Sequence, residues 1–71
     1  MELSINRLQI NAVITGNNAA VDIIRQRGRG VKETQTYLAT LHDDWIEILD
    51  EHEVSLKMQM LVKKVIREAI K

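Results

Sequence analysis

Between Ser4 and Arg25 the polar residues Ser4, Arg7, Asn11, Thr15, Asn18, Asp22 and Arg25 recur at steps of three or four. Steps of that size keep side chains on one side of a helix, because 3.6 residues complete a turn. Leu3, Ile10, Val13, Ile14, Ala20, Val21 and Ile24 lie off this line and share one face of a helical wheel. The spacing predicts a helix over about residues 3–27, with a narrow polar stripe and a wide apolar surface that needs covering. A strand reading competes over residues 8–15. There Leu8, Ile10, Ala12 and Ile14 alternate with Gln9, Asn11 and, imperfectly, Val13, and the β-branched run Val13-Ile14-Thr15 favours extended backbone. The helical phase persists through Gly16-Asn17-Asn18, so the helix is the preferred reading, with Gly16 and Asn17 as a kink or break.

Gly28-Arg29-Gly30 is the next punctuation. Glycine closes a helix in the left-handed conformation, and Arg25 and Arg27 in the preceding turn complement the negative end of a helix dipole. From Val31 or Lys32 to Glu51, the residues Val31, Thr34, Leu38, Leu41, Trp45 and Ile48 again repeat at three and four, flanked by Tyr37 and Leu49. A second helix is expected there, with Trp45 largely buried in its stripe, His42, Asp43, Glu47, Asp50 and Glu51 opposite, and Ile46 exposed. A third segment, about Ser55 to Ile70, sets Met58, Leu61, Val62, Val65, Ile66, Ala69 and Ile70 on an apolar arc and its lysines mainly opposite. That arc is out of phase with the preceding stripe, so the chain must break near His52 to Ser55, with Ser55 as the cap of the third helix.

At this length a lone core is marginal, because a chain of this size buries only roughly 60–65% of its unfolded surface. With one Trp, one Tyr, no Phe and no Pro, the core must be aliphatic and nothing interrupts a long helix. These readings combine into an all-α fold: residues 1–71 as one small three-helix domain, a helical hairpin plus an N-terminal helix, assembled as a homodimer because its apolar surface exceeds what one chain can hide. Without cysteine there are no disulfides and no thiolate metal sites. Met1-Glu2-Leu3 lacks the basic start of a secretory signal, and no apolar run approaches the roughly 20 residues of a membrane span. A cytoplasmic protein that does not enter the membrane is expected.

The formal charge is zero but segregated. Residues 1–32 carry five Lys and Arg against two acids, residues 33–53 carry seven acids and no Lys or Arg, and residues 54–71 carry five basic residues against one acid. The acidic run from Asp43 to Glu53, flanked by His42 and His52, is where a metal or an acid–base pair would be sought. The two histidines stand ten residues apart, not the four that aim two imidazoles at one ion, so a solvated acidic face is the better reading. Arg25, Arg27, Arg29 and Lys32, interleaved with glycine, are the candidate nucleic-acid contact, since guanidinium forks on flexible backbone can follow phosphates. No aromatic residue stands nearby to stack on bases, which favours a plain helix terminus. The basic third helix offers a membrane surface or a partner's groove, but core packing explains it better. Tyr37, Leu38, Leu41, Trp45, Ile48, Leu61 and Val65 are the candidate core or interface residues.

A strand over residues 8–15 followed by two helices joined through Gly28-Arg29-Gly30-Val31 resembles the ribbon-helix-helix repressors, dimers whose paired strands enter the DNA groove. A third helix is extra to that pattern, and Gln35 stands where the second helix's apolar stripe should begin, so the family is not assigned. The expected function is a non-enzymatic protein-binding or regulatory protein that acts through a helical surface, without cofactor or metal. The alternative is a small dimeric DNA-binding transcriptional regulator using the Arg25–Lys32 segment.

Overall fold

The two-residue step Gly16-Asn17 is a hairpin turn, and that settles the N-terminal half. Gly16 has φ 59° in the first loop position while Asn17 keeps a negative φ, the arrangement of a type II′ turn, which needs glycine there and matches the twist of paired strands. The computed structural model describes the backbone of residues 2–5 and the whole of residues 8–71; the side chains of residues 1–7, with Leu3, Ser4 and Arg7 of the first periodic segment, lie outside the described residues. Strands β1 (Glu2–Ile5), β2 (Leu8–Thr15), β3 (Asn18–Gln26), β4 (Lys32–Leu41) and β5 (Ile46–Ile48) precede a 3-10 turn (Glu51–Glu53) and the helix α1 (Leu56–Ala69). The strands form one antiparallel meander in sequence order, with β1 at one edge and β5 at the other.

The expected all-α three-helix bundle is therefore overturned. The first predicted helix is β1, β2 and β3, and the second is β4, a turn and β5. Neither is a helical hairpin partner of α1, and the likeness to ribbon-helix-helix repressors fails with them. The chemistry of the segments explains this. Ile10, Val13, Ile14, Thr15, Val21, Ile23 and Ile24, then Thr34, Thr36 and Thr40, lose rotamer freedom in a helix and pack well on a pleated surface.

Strand alternation divides the side chains between two faces. One face carries Leu8, Ile10, Ala12 and Ile14 from β2, Ala19, Val21 and Ile23 from β3, Tyr37, Ala39 and Leu41 from β4, and Ile46 and Ile48 from β5; each is buried or packed against the core. The register aligns them in rows, Ala12 with Val21 with Tyr37, and Ile14 with Ala19 with Ala39 with Ile48. Ile46, expected to be exposed, is buried.

Helix α1 covers this face. Its buried residues are Val62, Val65 and Ile66, with Met58, Leu61 and Ala69 half-buried around them, as the apolar arc of the third segment predicts, except that Ile70, expected on the arc, stands past the end of the helix and is exposed. Ser55 caps it, its Oγ accepting the Met58 backbone N–H at 3.2 Å. Gln59 Nε2 donates to the carbonyls of Glu51 and Val54 at 2.9 and 2.8 Å, and Lys63 Nζ lies 3.0 Å from Glu51 Oε1. These contacts tie the turn to the helix and fix where α1 begins.

Candidate interaction face of the sheet

The side of the sheet away from α1 has no covering element among the described residues. Across it run four rows set by the strand register: Gln9 with Ile24 with Thr34, Asn11 with Asp22 with Thr36, Val13 with Ala20 with Leu38, and Thr15 with Asn18 with Thr40 with Glu47. The Val13 row is apolar. It is extended by Leu49, whose N–H donates to the Leu38 carbonyl at 2.9 Å. Val13, Leu38 and Leu49 are 54, 49 and 61% exposed, so an apolar line in contact with water crosses β2, β3 and β4 and ends on the residue that follows β5.

The flanking rows are polar and hydrogen-bonded. Thr36 Oγ1 donates to Asp22 Oδ1 at 2.7 Å, which fixes that carboxylate beside the apolar line. On the other side Asn18, Leu38, Thr40, Glu47 and Leu49 border a shallow recess of about 370 Å³. At the adjoining turn His42 stacks on Trp45, ring centres 4.3 Å apart and planes 10° from parallel, and His42 Nε2 lies 2.9 Å from Glu47 Oε1. An apolar centre with a polar rim is the anatomy of a protein-docking surface.

The sequence-predicted residues scatter across this architecture. Tyr37, Ile48 and Val65 are in the core, with Leu41 and Leu61 at its margin. Leu38 is on the uncovered face, and Trp45, expected to be buried, is 52% exposed beside His42. Leu38 misses the core because β4 alternates, so a stripe at steps of three and four draws from both of its faces, whereas Trp45 lies in the turn between β4 and β5.

Arg25, Arg27, Arg29 and Lys32 come together, but not at a helix terminus. They surround the β3–β4 hairpin, where Gly28 and Gly30 take φ of 71° and 72°. Arg27 Nε is 2.8 Å from Glu33 Oε2, and the Arg27 N–H donates to the Val31 carbonyl. Arg25, Arg29 and Lys32 are exposed and have no ion-pair partner among the described residues.

The acidic run is not one helical face either: it spans the β4–β5 turn, β5 and the 3-10 turn. Among the described residues no three His, Asp or Glu gather where they could share a metal ion. No described helix is long and apolar enough to cross a membrane.

The row Val13–Ala20–Leu38–Leu49 is the feature that sequence reading missed. Its members are separated by up to 36 positions, and only the strand register aligns them. The alternation Tyr37, Ala39, Leu41 against Thr36, Leu38, Thr40 was the available signal. Comparison of the chain with known protein families, with curated proteins and with solved structures gives no match.

Proposed function

We propose that this protein is a non-enzymatic interaction protein that docks a partner protein on the uncovered face of its sheet. The observation that carries the reading is the exposed apolar line through Val13, Ala20, Leu38 and Leu49, held on a sheet whose opposite face is already occupied by α1. The helical surface expected to do this work is replaced by a sheet surface. Asp22 and Glu47 are the acids beside the line, and its other neighbours are amides and hydroxyls, which suits a protein surface with hydrogen-bond donors and repels a polyanion. The cytoplasm remains the proposed compartment, to be checked by fractionating the host cell.

Leu38→Lys tests this directly. Leu38 is half exposed, so the substitution should leave folding intact within about 1 kcal/mol. A partner captured from the native host by the unaltered chain, then purified and titrated, should bind Leu38→Lys at least about tenfold more weakly, the loss of a central apolar contact. Undiminished binding by the folded variant contradicts the proposal. The rival reading, a DNA-binding regulator, is favoured by the exposed and unpaired Arg25, Arg29 and Lys32 at the hairpin. It would be adopted if the chain bound duplex DNA below micromolar concentration at physiological salt and Arg25→Gln with Arg29→Gln abolished that binding.

A further inference from the structure

β4 is ten residues long, yet β5 pairs only with Ala39, Thr40 and Leu41. The direction of its backbone groups follows from three hydrogen bonds. The Leu38 carbonyl accepts from Leu49 and the His42 N–H donates to Trp45 on the outer side, whereas the Leu41 N–H donates to Asn17 on the β3 side. N–H and C=O of one residue point the same way in an antiparallel strand, and neighbours point oppositely. Lys32, Thr34 and Thr36 therefore turn their backbone groups outward, along an exposed edge that no strand pairs among the described residues. Such an edge is a template for another strand.

We propose that a second copy of this chain occupies this edge, its β4 pairing antiparallel to the first about a two-fold axis at Thr34. In that register Lys32 faces the partner's Thr36, Thr34 faces the partner's Thr34, and about six backbone hydrogen bonds form. The register uses the whole free edge, and Leu49, seated against Leu38, stops the partner strand from sliding further.

Charge selects the second copy over an unrelated strand. The groove beside the edge, between Thr36 and Leu38 on β4 and the segment that follows β5, carries two carboxylates, Asp50 and Glu53. The pairing brings the partner's hairpin, with Arg29 at its tip, to this groove. It also sets Lys32 two strands from the partner's Asp22, held by Thr36. By symmetry each approach occurs twice, and Arg29 of one chain meets the acidic middle of the other at Asp50 and Glu53. Opposed residues in antiparallel strands point to the same face, so both uncovered faces merge into one surface and remain available to a partner.

Sedimentation and light scattering test the pairing. The chain should run at twice its mass at tens of micromolar, and raising salt from 50 to 500 mM should weaken association, since the contacts are exposed. Thr34→Pro removes an outward N–H and should give a folded single chain. Arg29→Glu and Glu53→Arg should each weaken the dimer about tenfold or more, and the double variant Arg29→Glu/Glu53→Arg should restore it. The rescue decides the matter even if Thr34→Pro fails to fold. A single-chain mass for the folded native protein at 100 µM, a dimer unaffected by folded Thr34→Pro, or no rescue by the double reversal overturns the proposal. A dimer broken by Leu38→Lys but indifferent to the edge variants would place self-association on the sheet face instead.

Discussion

Val21→Asp is expected to leave the chain unfolded, whereas Ala20→Asp, one position away, should fold. Val21 is fully buried at the centre of the sheet–helix core, between Ala12 and Tyr37 in the register. A carboxylate there meets no donor and costs several kcal/mol whether it stays charged or takes a proton. A chain of 71 residues holds a net stability of only about 4–10 kcal/mol, so little or nothing remains. Ala20 points to the uncovered face between Val13 and Leu38, where a carboxylate keeps its water, and Ala20→Asp should cost no more than about 1 kcal/mol. Circular dichroism with thermal melts separates the two. In the helical reading Ala20 and Val21 shared one apolar face and should have failed together.

Ile66→Ala should lower stability by about 2–5 kcal/mol in urea unfolding, with little change in the slope of the transition. Ile66 is fully buried, and it sits with Val62 and Val65 in the α1 face that covers Ile10, Val21 and Ile23. Three of the residues in the same core are alanines, Ala12, Ala19 and Ala39, whose single methyl group has no rotamer that could swing into the space left behind. The cost therefore belongs in the upper part of the range, because cavity terms add to the lost transfer energy when a site cannot collapse. Met60→Ala on the outward side of the same helix, where Met60 is 66% exposed, is the control and should change stability by less than about 0.5 kcal/mol.

The helix α1 was legible because one element produced its whole pattern: a Ser cap, an apolar arc and lysines opposite. The polar series from Ser4 to Arg25 misled for a geometric reason. Asn11 to Thr15 and Asn18 to Asp22 are steps of four, and an even step stays on one face of a strand as well as on one side of a helix. The odd step from Thr15 to Asn18 spans the two-residue turn, which reverses the chain and places those two residues opposite each other on the same face. A hairpin thus wrote four, three, four, a helical cadence. In the second segment Thr34, Leu38 and Trp45 come from outside the core, while Leu41 and Ile48 pack into or against it. There the decisive sign was the pair Ile46 and Ile48, two apart and both buried, with Glu47 exposed between them. The basic cluster at Arg25 to Lys32 was found, but its hairpin setting and the ion pair of Arg27 with Glu33 depend on strand pairing and could not be read from spacing.

That the sheet has one face under α1 and the other open can be measured by methyl NMR with a soluble paramagnetic agent. Nuclear Overhauser contacts should link Val13 with Ala20 and Ala20 with Leu38, the cross-strand neighbours of one row. The agent should broaden the methyls of Val13, Leu38 and Leu49 strongly and spare those of Ile10, Val21, Val62 and Ile66. Missing contacts between Ala20 and Leu38, or Leu38 methyls as protected as those of Val62, would contradict the uncovered face and the function built on it.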